Sequence, residues 1–94
     1  MLFKQLIDEF LDKWDKDTSK AYRKKIYSFY QYLVEMKNAT DSNYKSILKG
    51  LEIEDVAESI IFYVKRNQVK YRASAVLYIS TVKSFYAYIS AKQI

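Results

Sequence analysis

Apolar side chains return every third or fourth position along most of this chain, the spacing of an amphipathic helix rather than the alternation of a strand. In "LFKQLIDEFLDKW" the spacing sets Phe3, Ile7, Phe10 and Trp14 on one face, with Leu6 and Leu11 beside them and Asp8, Glu9 and Asp12 elsewhere. Asp15, Asp17 and Thr18 then offer cap side chains for a second helix over 18–37, whose buried stripe is Tyr22, Ile26, Phe29, Leu33 and Met36. "NATDSN" at 38–43 reads as a loop, and "YKSILKG" as a helical turn closed by Gly50 in a left-handed cap. A third helix over 54–67 buries Val56, Ile60, Tyr63 and Val64, with acids at its start and Lys65 and Arg66 at its end to suit the helix dipole. A last helix over 71–91 buries Tyr71, Ala75, Tyr78, Ile79, Val82, Phe85, Tyr86 and Ile89.

Two stretches nearly coincide, "IYSFYQYL" at 26–33 and "VKSFYAYI" at 82–89. The aliphatic ends and the Phe of each fall on the inward stripe, their flanks differ, and two copies are too few for a solenoid. Two long helices meeting over one core explain the likeness without duplication or a cofactor role.

Composition fits that picture. There is no proline and a single glycine in 94 residues, too few turn formers for a sheet protein of this size, so the class is all-α: one domain, a compact bundle of four to five helices. Cysteine and histidine are absent, which removes disulfides, thiolate zinc sites and the commonest general base and nucleophile. Catalysis by this chain, a metal centre or a cofactor is therefore not expected. The longest apolar run, Ile60 to Val64, is too short to span a bilayer, and a cytoplasmic protein is expected.

Charge changes the picture most. The chain carries +5, and residues 18–37 hold five basic side chains against one acid while residues 70–94 hold four and none. On the second helix Lys20, Lys24, Tyr27 and Gln31 lie opposite the buried stripe, with Arg23 on the flank. On the last, Arg72, Ser80, Lys83 and Ser84 do so, with Ala73 and Ala87 permitting close approach. These faces are either a solvated surface or a nucleic-acid surface, cations meeting phosphates and the Tyr, Gln and Ser side chains making shorter contacts. A helix-turn-helix does not fit, because the last helix is too long and too apolar for a recognition helix.

The run "TSKAYRKKIYSFYQYL" resembles the second helix of the N-terminal core-binding domain of tyrosine recombinases (phage integrases), with Thr18, Tyr22, Ile26, Phe29 and Leu33 at the family's spacing. "YISTVKSFYAYI" is similar to that family's fourth helix through Ile79, Ser80, Val82, Lys83, Phe85 and Tyr86, and "LEIEDVAESIIFYV" looks like its third. The sequence departs from the family at Leu77, Tyr78 and Lys83, where Arg is frequent, and at Ser74, where Thr is.

The resemblance implies a SAM-like bundle whose second and fourth helices clamp double-stranded DNA at a recombination site. It also implies a catalytic domain in a longer chain and recombinase protomers as neighbours, while the richness in lysine, isoleucine and tyrosine points to an AT-rich bacterial or phage genome. The end at "SAKQI", which reads as helix interior, fits such a longer chain. The first helix packs either in the core or on a neighbouring protomer. The alternative to DNA binding is a protein-interaction bundle whose small face, Ala73, Val76, Ser80 and Ala87, receives another helix.

Overall fold

The computed structural model describes residues 1–94, and all regular structure in it is helical. The elements are α1 (Phe3–Asp12), α2 (Lys16–Met36), α3 (Tyr44–Gly50), α4 (Ile53–Arg66) and α5 (Arg72–Ala91). Each predicted helix is present, with boundaries moved by a residue or two. Asp15 is the cap that sets the start of α2, its Oδ1 accepting the Thr18 N–H at 2.8 Å. In α4, Glu54 and Asp55 occupy the first turn and Lys65 and Arg66 the last, as the dipole argument requires.

Helix α2 lies at the centre, packed against α1, α4 and α5, and α4 packs against α5. The molecule is 18 Å through its thinnest axis, about two helix diameters, so every helix keeps an outer face. One core holds the fold together: Phe3, Leu6, Ile7, Phe10 and Leu11 from α1, Ile26, Phe29 and Leu33 from α2, and Tyr78, Val82, Phe85 and Ile89 from α5. The stripe of α1 is thus spent on the core of its own chain.

The two similar octets meet. Phe29 and Phe85 lie edge to face at 6.3 Å, and the aliphatic ends of both octets are buried beside them. The last tyrosine of each octet reaches a carboxylate on another helix, Tyr32 donating to Glu58 at 2.9 Å and Tyr88 to Glu9 at 2.7 Å.

Four expectations are corrected. Met36 is 59% exposed: as the last residue of α2 it edges a shallow depression with Ile61, Phe62 and Lys65 of α4 instead of entering the core. Tyr71 is 76% exposed, since it precedes α5 as the cap position and stands outside the inward stripe. Gly50 is the last helical residue of α3 without a positive φ, and the chain leaves through extended Leu51 instead of a left-handed cap. "SAKQI" is a helix end: Gln93 has φ 59°, and the N–H groups of Gln93 and Ile94 return to the carbonyls of Ser90 and Ile89. Gln68, at φ 51°, ends α4 with the matching bond from Val69 to Val64. No helix is long and apolar enough to cross a membrane.

Candidate nucleic-acid interface

Sixteen basic side chains face eleven acids, and only three pairs form: Lys37 with Asp55, Arg66 with Glu35, and Lys92 with Glu9. Hydrogen bonds from these cations hold Glu9 and Glu35 below their ordinary values, and Asp55 is lowered first by the Glu52 N–H and then by Lys37. None of Lys20, Arg23, Lys24, Arg72 or Lys83 is among the paired cations, so the charge predicted for binding stays uncompensated.

The structure gathers part of that charge. A shallow depression of about 350 Å³ opens where α2 passes the connection between α4 and α5. Lys24 and Lys25 enter it from α2, Asn67, Gln68, Lys70 and Tyr71 from the connection, and Ser74 from the first turn of α5. None of its nine lining residues is acidic. Arg72 follows Tyr71 at the start of α5, and Lys20 precedes Lys24 by one turn on the exposed stripe of α2. Gln31, also exposed, continues that stripe two turns beyond Lys24.

Lys25 shows what the crowding does. Its ammonium is partly buried, bonds only to the Ala21 carbonyl at 3.1 Å, and lies beside Lys24. Burial first, and the Lys24 charge second, lower its pKa. An anion placed between the two ammonium groups would relieve that repulsion. The first-turn N–H groups of α5 receive no side-chain cap from Tyr71, so the electropositive end of that helix also borders the depression.

Other predicted residues stand elsewhere. Tyr27 is half-buried, and its hydroxyl donates to Asp8 of α1; burial first, then Asp8, pushes its pKa up to about 12. Arg23 is exposed on that α1 flank, close enough to act on the Tyr27 charge. Lys83 lies nine residues beyond Ser74, which at about 100° per residue puts it on the opposite side of α5. There it edges an apolar groove formed with Ile53, Val56 and Ile60 of α4. Ser80 is exposed and its hydroxyl turns back to the Val76 carbonyl at 3.4 Å, while Ser84 is half-buried.

The outer faces of α2 and α5 therefore do not form one surface. Their inner stripes meet in the core, so the opposite stripes look away from each other. What the sequence reading missed was Lys25 on α2 and the α4–α5 connection, with Asn67, Gln68, Lys70 and Tyr71. The signal for it was the run "NQVKYR", which carries two cations and no acid between helices. No cluster of three or more acidic side chains is placed to hold a metal ion.

Comparison of the chain with protein-family models, curated proteins and solved structures finds no match in any of the three.

Proposed function

We propose that this chain is a DNA-binding helical domain, of the kind that tyrosine recombinases carry ahead of their catalytic domain, and that it binds duplex rather than performing chemistry. The observation that carries the reading is the convergence of Lys24, Lys25 and Lys70 on one depression without an acidic residue, next to the uncapped start of α5. Lys20 extends the same charge one turn along α2, making four cations on this side of the molecule. Asn67, Gln68, Ser74 and the exposed Tyr71 hydroxyl supply donors among them. In this reading α2 and the start of α5 form half of a clamp. Lys83, Ser80 and Ser84 lie off it, and a catalytic domain of the parent recombinase supplies the other half.

The test is fluorescence anisotropy with a random duplex of about 30 base pairs over a salt series. With about four phosphates neutralised, the log–log slope of affinity against salt should be about −3 to −4. Lys24→Glu with Lys70→Glu should abolish binding at moderate salt, and Lys83→Glu should leave it nearly unchanged. Loss with Lys83→Glu but not with the Lys24→Glu, Lys70→Glu pair would place the DNA on α5's outer face, and absence of binding at low salt would end the DNA reading.

A further inference from the structure

We propose that the groove between α4 and α5 receives an amphipathic helix from a partner protein, carrying a carboxylate that pairs with Lys83. The groove measures about 440 Å³, and seven of its eight lining residues are apolar. Ile53 opens it and is 85% exposed, a large aliphatic surface left in water at the start of α4. Ala57 lies one turn further along, giving the wall a low point. The facing wall is built on α5 by Ile79 and Tyr86, and Tyr86 is held in place by donating its hydroxyl to the Leu48 carbonyl at 2.8 Å.

Helix is the form that suits this groove. Lys83 is its only charged lining residue, so an extended segment laid there would leave its peptide N–H and C=O groups facing hydrocarbon. A helix satisfies those groups internally and packs its ridges between the two helical walls. From Ile53 to Ile60 the α4 wall runs about 11 Å, enough for two turns of a docking helix presenting apolar residues at i, i+4 and i+7.

Charge selects which helix. Lys83 is exposed, and none of the chain's three ion pairs includes it. Its stem can lie along the groove wall while the ammonium waits at the edge. An acidic residue on the occupant completes the pair there, and a basic one is repelled. A second copy of this chain is disfavoured by its charge of +5, which opposes self-association, so the occupant is an acidic amphipathic segment.

The experiment selects from a displayed library of helical peptides, with apolar residues at i, i+4 and i+7 and Glu, Gln or Lys at the position facing the groove edge. The target is the full chain, and duplex DNA takes no part, so failure of the DNA reading leaves this test intact. Enrichment of the Glu peptides is expected. Ala57→Glu, a change at an exposed helical site, should weaken the best of them at least about tenfold with helical circular dichroism unchanged. Lys83→Glu should turn the preference towards the Lys peptides. No enrichment, no preference for acid, or indifference to Ala57→Glu would overturn the proposal. Concentration-dependent dimerisation abolished by Ala57→Glu would assign the groove to a second copy and overturn it equally.

Discussion

Single residues here show how differently two buried tyrosines can be treated. The Tyr78 ring is wholly buried, stacked on Tyr63 at 4.8 Å, and its hydroxyl makes no hydrogen bond of normal geometry, Ser59 standing beside it while donating to the Val56 carbonyl. Tyr32 is as buried at its ring but delivers its hydroxyl to Glu58. Leaving a buried hydroxyl unmade is costly, whereas a made bond contributes modestly. Tyr78→Phe is therefore expected to stabilise the fold by about 1 kcal/mol and Tyr32→Phe to cost about 1 kcal/mol or less, both read from urea unfolding midpoints. Periodicity set Tyr78 on the inward stripe and did not single out Tyr32, and neither hydroxyl's fate was legible. It depends on which atoms of a distant helix stand opposite. The same holds for Tyr27, which angle alone sets on the outside of α2 and which Asp8 of α1 draws to its flank.

At the scale of elements, the long helices begin differently. Helix α2 starts on Asp15, and α4 starts with the Asp55 carboxylate accepting the Glu52 N–H at 2.9 Å. Helix α5 starts on Tyr71 with no side-chain cap. Tyr71→Ser should then stabilise the protein by about 1 kcal/mol, seen as a raised thermal midpoint. Tyr71→Asp should stabilise it similarly and also weaken duplex binding, because it sets a carboxylate among Lys24, Lys25 and Lys70. Comparing the two variants by melting and anisotropy separates the cap from the charge. The helices themselves were legible: stripes, caps and dipole-matched charges are all local. The connection between α4 and α5 was not, because residues 67–71 acquire their role only beside Lys24 and Lys25 on another helix.

The molecule as a whole is rich in tyrosine, and the fold holds many of the phenols neutral. Burial leads the causes that raise Tyr27 and Tyr86 to about 12, and it moves Tyr32 and Tyr78 further in the same direction. A phenol whose folded pKa exceeds its unfolded value near 10 contributes stability that is complete below that value and is lost as pH rises towards the folded one. Alkaline unfolding is therefore expected between about pH 10 and 12, with tyrosinate absorbance and loss of helical circular dichroism rising together. Independent titration of the phenols with helicity intact would contradict this. On the acid side the depressed carboxyls of Glu9, Glu35 and Asp55 act in the opposite sense, contributing fully above their ordinary range and fading as pH falls below it through their lowered folded values. All three are surface groups in screened pairs, so the acid effect is the smaller one.

The amino-acid sequence alone determined the all-helical class, four helix spans to within two residues, the inward stripes that carry Phe29 and Phe85, and the segments in which positive charge collects. These follow from local rules, since a helix's face is set by spacing within one stretch of chain. Only the tertiary structure decided that the back faces of α2 and α5 point apart. Packing likewise gathered Lys24 and Lys25 with Lys70 and moved Lys83 to the edge of an apolar groove. Those outcomes depend on how side chains from distant stretches interdigitate, and that relative orientation is set by the shape of the shared core.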